Sequence, residues 1–183
     1  MKRLPVILIA LSLFTVTSRS QDTDPLDVPI DPNSRLITYQ EVVPESGTKD
    51  ELFNRAVYWL NEFYKSPVEI TKVRDQASGI IKGQHQFRVY YNDEQGNKLD
   101  GGMVLYNFKI ELKENRYRYT VDNFTLRQVS RFPVERWLNK ADPEYSDRWE
   151  GFLQQVDAFV KEEFAPTLKA KMKPEVKVKE AEW

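Results

Sequence analysis

Residue types suited to acid–base or nucleophilic chemistry are sparse in this chain. It holds one histidine, His85, and no cysteine. Without cysteine there is no thiol nucleophile, no disulfide and no thiolate metal ligand. A serine, threonine or lysine nucleophile needs an activating base beside it, and His85 is the only imidazole available. Carboxylate pairs are the other option, and Glu162-Glu163 and Asp93-Glu94 are the ones that draw attention. Carboxylate pairs hydrolyse glycosides when they flank the scissile bond. Adjacent helix positions point to different faces, so Glu162 and Glu163 diverge, while Asp93-Glu94 falls in a hairpin loop where charge is ordinary. No ligand spacing suggests a metal cage, and no glycine-rich phosphate loop occurs; Asp100-Gly101-Gly102-Met103 reads as a strand entry. The chain is therefore expected to have no catalytic set, no metal and no cofactor. The alternative is an envelope hydrolase acting on glycan or peptide with a carboxylate-based site.

The element that holds His85 decides its role. Gly79 to Tyr91, GIIKGQHQFRVYY, alternates as a strand with period two. Ile81, Gly83, His85, Phe87, Val89 and Tyr91 share one face, which places the histidine on the apolar side as a core or core-edge residue. The next strands repeat the pattern. Val104, Tyr106, Phe108, Ile110 and Leu112 point to the core, as do Tyr117, Tyr119 and Val121. A slip near Asp122-Asn123 returns Phe124 and Leu126 to the core side. The other face then carries Lys82, Gln84, Gln86, Arg88, Asn107, Lys109, Glu111, Arg116, Arg118 and Thr120. It is polar and leans basic. Of these, Lys82, Gln84, Gln86, Arg88, Lys109, Arg116 and Arg118 are the candidate binding residues.

Around these strands the chain divides simply. Residues 1–20 read as a signal peptide: Lys2 and Arg3 precede the apolar run Leu4 to Val16, shorter than the ~20 residues of a membrane span. Ser18 and Ser20 set up cleavage before Gln21. Export to the periplasm or beyond is expected, with no span in the mature chain. Cleavage removes Lys2, Arg3 and Arg19, so the formal charge of −1 becomes more negative. A mildly acidic chain argues against nucleic-acid binding by bulk charge. Residues 21–35 form an extended leader outside the core, residues 36–169 one domain, and residues 170–183 a charged tail without a core pattern.

Within the domain, Leu36 to Val43 is a first strand. Thr48 and Glu51 have capping-box spacing and open a helix to Lys65, with Leu52, Ala56, Trp59, Leu60 and Phe63 as its apolar stripe. Strands follow over Val68 to Asp75, Gly79 to Tyr91, Met103 to Lys113 and Arg116 to Val129, as an antiparallel meander. Ser130 to Pro143 is a connector with a helical turn near Pro133. Glu144 to Lys169 is a second helix, with Trp149, Leu153, Val156, Val160 and Phe164 as its stripe and Pro166 kinking or ending it. The predicted fold is α+β, in the order β-α-β-β-β-β-α, an antiparallel sheet with two helices on one face.

The segments ITYQEVV, SGTKDELFNRAVYWLNEFY, GIIKGQHQFRVYY and YRYTVDNFT together resemble the Bacteroidota domain of unknown function 4468 over about Leu36 to Phe124. That resemblance implies a TATA-binding-protein-like fold and an exported protein. It implies no activity and supplies no site residues. The open face lacks the phenylalanine wedges that minor-groove binders insert, so nucleic acid is not the expected partner. The expected function is a non-catalytic binding domain. It would use the open sheet face or an edge strand to meet a protein, peptide or anionic polymer of the cell envelope, or a second copy through the edge.

Overall fold

The computed structural model describes residues 26–127 and 131–174. The expected signal peptide and cleavage site, and most of the expected charged tail, lie outside these residues.

Thr48 caps helix α1 (Lys49–Phe63) as its spacing predicts: Glu51 N–H donates to Thr48 Oγ1 at 3.2 Å, and Thr48 N–H donates to Glu51 Oε2 at 2.8 Å. Leu52, Ala56, Trp59 and Leu60 are buried, together with Phe53, and Phe63 packs against them. A one-turn helix α2 (Pro67–Ile70) then occupies the start of what the sequence reads as a strand. Pro67 sits at the first helical position, where its missing N–H costs nothing, and the Thr71 hydroxyl closes the turn by donating to Pro67 O at 2.6 Å. Strand β2 is therefore shorter than expected, Thr71–Asp75.

Strands β3 (Ile80–Asn92), β4 (Lys98–Lys113) and β5 (Arg116–Arg127) continue the antiparallel meander. β4 starts earlier than predicted. Asp100, Gly101 and Gly102 stay in the strand because a bulge opposite Val89 and Tyr90 absorbs the extra residue. The slip near Asp122-Asn123 is present: Asn123 takes φ +52°, the β4–β5 register shifts there, and Phe124 and Leu126 are buried. The first strand, β1 (Tyr39–Pro44), pairs with β5, giving the order β1-β5-β4-β3-β2. A short strand that the sequence reading missed, β6 (Arg131–Pro133), pairs with the far end of β5 and leads into a 3-10 helix over Val134–Leu138.

The second helical region begins at Arg148. It runs as α3 (Arg148–Ala158), a π-turn over Phe159–Phe164, and α4 (Ala165–Met172). Pro166 does not end it. The π-turn shifts the ladder, with Ala165 N–H donating to Val160 O, and the Thr167 hydroxyl donates to Glu163 O at 2.7 Å. The wider ladder and the extra hydroxyl bond accompany the helix as it runs through the proline.

Both helical regions cover the same sheet face, and their buried side chains join those of β3, β4 and β5 in one core. Two expectations fail at the margins. The leader is not wholly outside the core: Asp31 nucleates a turn, Ile30 bridges to Ile37, and Val28 is buried. The tail does not start at residue 170, because Met172 is fully buried and its carbonyl accepts from Arg55 Nη1 at 3.0 Å.

Trp59 is the largest fully buried side chain. It stacks on Phe63, meets Tyr64 and Phe164 edge-on, and donates from Nε1 to Thr167 Oγ1 at 3.1 Å. Trp59→Ala is expected to cost about 3–5 kcal/mol, read as a lowered denaturation midpoint. Gly83 faces Phe108 across the β3–β4 pair, and a Cβ there would overlap that ring and stand 2.7 Å from Ile70 O. Gly83→Ala is expected to lose about 1–3 kcal/mol by overpacking; an unchanged midpoint in the same denaturation would refute this packing.

Candidate functional site

The sheet face that the helices leave bare brings the predicted residues together in cross-strand rows. Lys82, Gln84, Gln86 and Arg88 come from β3, Lys109 from β4, and Arg116 and Arg118 from β5. Register sets their neighbours. Lys82 lies opposite Lys109, and Lys109 opposite Thr120. Gln84 lies opposite Asn107, and Asn107 opposite Asp122. Glu111 lies opposite Arg118, and Lys113 opposite Arg116. Two like-charge pairs therefore stand directly across from one another, Lys82–Lys109 and Lys113–Arg116.

Several of these cations are already partnered. Glu111 accepts from Arg118 Nε at 2.7 Å and from Lys109 Nζ at 2.8 Å. Partial burial raises the Glu111 pKa, but the hydrogen bonds from Lys109 and Arg118 outweigh that and hold its carboxyl below the usual range. Arg88 pairs with Asp100. Gln84 Nε2 donates to Asn107 Oδ1 at 3.1 Å. Among the described residues, Lys82 and Arg116 have no carboxylate at ion-pair distance, and neither have Lys72 and Lys113.

Two shallow depressions mark the face. One, of about 480 Å³, is lined by Lys72, Lys82, Gln84, Asn107, Lys109 and Asp122. The other, of about 220 Å³, is lined by Val42, Glu111, Lys113, Arg116, Tyr117 and Arg118. Burial pushes the Asp122 carboxyl up, an effect that Lys109 only partly offsets. Gln86 and Arg88 belong to the same face but line neither depression. Lys72 was not legible in the sequence as a site residue. It reaches the first depression beside an irregularity in the β2–β3 register between Thr71 and Val73, and bulges leave no reliable mark in residue order.

Comparison with known proteins agrees with this architecture. Residues 39–127 match the model of the domain of unknown function DUF4468 with TBP-like fold. The chain carries a DUF4468 domain. A TBP-like protein from Parabacteroides distasonis superposes with a TM-score of 0.64 at 17% identity, covering 81% of this chain and 99% of that one. A DUF4468 family protein from Bacteroides ovatus superposes with a TM-score of 0.63 at 12% identity, covering 81% and 91%. At these identities the likeness shows the fold alone. No curated protein matches the chain.

The residues with catalytic potential are spread in and around the DUF4468 domain. His85 is half-buried at the edge of the core, its ring 4.9 Å from that of Tyr64 and 6.1 Å from that of Tyr106. Asp93 closes the β3–β4 hairpin, its Oδ1 accepting from Gln95 N–H at 3.0 Å and Asn97 N–H at 2.7 Å. Glu162 and Glu163 are exposed on the π-turn.

Burial lowers the His85 pKa from its ordinary value. The unfolded chain therefore takes up the proton first as pH falls. The neutral-histidine contribution is fully present above about 6.5 and is lost between that value and the lower folded pKa. His85→Gln is expected to remove this component, so that the wild-type minus variant stability difference shrinks or inverts from pH 7.5 to pH 5.5. A difference that stays constant over that window would show that the imidazole is not held neutral by the fold.

Proposed function

We propose that this chain is an exported, non-catalytic binding domain whose bare sheet face engages an acidic protein, peptide or polymer of the cell envelope. The observation that carries this reading is the set of uncompensated cations on that face. Lys72 and Lys82 border one depression, and Lys113 and Arg116 border the other. The Glu111 network between them keeps Lys109 and Arg118 oriented. Export rests on the sequence of residues 1–20.

The open face is preferred to an edge strand as the docking surface. At one edge, β2 has five residues, an irregular register and the charged side chains Lys72 and Arg74, features that discourage strand addition. At the other, β1 ends in Pro44. Pairing of two copies through β1 is the secondary form of this reading. Nucleic acid is outside it, because the open-face positions of β3, β4 and β5 hold no phenylalanine wedge.

The test is titration of the purified chain with poly-glutamate and with polygalacturonate at low salt, beside a variant with Lys82, Arg88, Arg116 and Arg118 all changed to Ala. Wild type is expected to bind one of these probes, with affinity falling as salt rises. The variant is expected to bind at least tenfold more weakly with its fold intact. Equal binding by both, or none by the wild type, would refute the open-face reading.

A further inference from the structure

A second depression of different chemistry lies at the end of the sheet. It has a volume of about 340 Å³ and is lined by Phe132, Arg136, Trp137, Glu144, Trp149 and Phe152. Trp137 and Phe152 are buried and packed together, with ring centroids 5.5 Å apart. Phe132 and Trp149 are half-buried and line the groove. This groove shares no residue with the open-face depressions.

Its polar groups are fixed before any ligand arrives. Asp142 accepts from Arg136 Nε at 3.0 Å and from Arg136 Nη2 at 2.9 Å, a two-point grip that sets the guanidinium plane. Glu144 Oε2 accepts from the same Nη2 at 3.0 Å. The guanidinium carbon lies 5.2 Å from the Phe132 ring centre, which supports it from a third side. Arg136 Nη1 is not used by either carboxylate, and Glu144, the more exposed of the two, keeps acceptor capacity on Oε1. A donor and an acceptor thus stand next to each other beside aromatic rings.

Charge and desolvation select the ligand class. An anion would face two carboxylates against one guanidinium. A cation would face Arg136. A wholly apolar group would strip water from Arg136 and Glu144 and return no hydrogen bond. A neutral ring with one apolar face and several hydroxyls meets every condition. Its C–H face lies on the indole, one hydroxyl accepts from Arg136 Nη1, and a neighbouring hydroxyl donates to Glu144. The volume sits at the small end of the range for ligand pockets, roughly 300–1,000 Å³, which suits one or two sugar rings and not a helix. We propose that this groove is a binding subsite for a neutral glycan, with Trp149 as the stacking platform and Arg136 and Glu144 as the hydroxyl-reading pair.

The full chain would be titrated with cellohexaose, xylohexaose, mannohexaose and maltohexaose, followed by tryptophan fluorescence and calorimetry up to millimolar ligand. Hexagalacturonate and an arginine-rich peptide serve as charged comparators. At least one neutral hexasaccharide is expected to bind, and Trp149→Ala and Glu144→Gln are each expected to weaken it at least tenfold. Glu144→Gln keeps the shape of an exposed side chain, so its effect does not depend on folding. The Lys82, Arg88, Arg116 and Arg118 alanine variant is expected to bind as wild type, which separates this site from the open face. Binding of none of the four neutral sugars, binding confined to a charged comparator, or unchanged affinity in both groove variants would overturn the proposal.

Discussion

Phe164 is the point on which both helical regions and the sheet converge. Its ring lies within 6.5 Å of Trp59 and Phe63 on α1, of Tyr106 and Phe108 on β4, of Tyr119 on β5 and of Phe159 one turn earlier. Phe159 in turn stacks on Phe87 of β3 at 4.3 Å. In an ideal α-helix two residues five apart are rotated by about 140°, so these two rings could not both face the sheet. The π-turn over Phe159–Phe164 closes that angle. One widened turn therefore does two things: it aligns both phenylalanines with the core and shifts the hydrogen-bond ladder so that Pro166 is tolerated. The helix continues to Met172 for the same reason, and its last turn can then dock against α1.

Committing every helix to one face determines what the other face can be. Side chains opposite the core alternate with it along β3, β4 and β5, so their identities are free of packing constraints and fall under electrostatic ones. Within that face, Glu111 is the organising anion, and its two hydrogen-bonded cations come from its own strand and from the strand across. Beyond the sheet end the rule changes. The aromatic stripe of α3, the 3-10 helix and β6 enclose a groove in which apolar rings and a fixed ion network lie side by side.

Most of the sheet was legible because period two is a direct consequence of pleating. It assigned the faces of three strands, and it located the slip at Asp122-Asn123 from the return of Phe124 and Leu126. The helix α1 was legible from its capping box. What stayed hidden depends on partners distant in sequence. The pairing of β1 with β5 bypasses five intervening elements. The strand β6 has only three residues, too short for a period to show. Val28 and Met172 read as leader and tail because their burial comes from surfaces supplied by other elements. The π-turn left a trace, Pro166 just beyond the last stripe residue Phe164 of the predicted helix, but the same trace is left by a kink. Among site residues, the basic set was read directly from alternation, whereas Lys72 needed an irregularity in the β2–β3 register and the aromatic groove needed three elements to meet.

The like-charge pairs on the bare face carry an argument of their own. Lys82 opposite Lys109 and Lys113 opposite Arg116 are direct cross-strand neighbours, an arrangement that weakens a sheet where opposite charges would strengthen it. The fold has a local remedy, because Glu111 with Arg118 lies in the row between these pairs and draws Lys109 toward it. That remedy reaches Lys109 and leaves Lys82 and Arg116 without a partner at ion-pair distance among the described residues. A carboxylate at position 82 or 116 would be the simple stabilising change. Departures from local consistency of this kind tend to gather where a surface has a task beyond folding, and here they coincide with the two depressions of the face. The cost in the sheet and the capacity to hold an anion are thus one feature seen from two sides, with any bound acidic group supplying the countercharge that the chain itself omits.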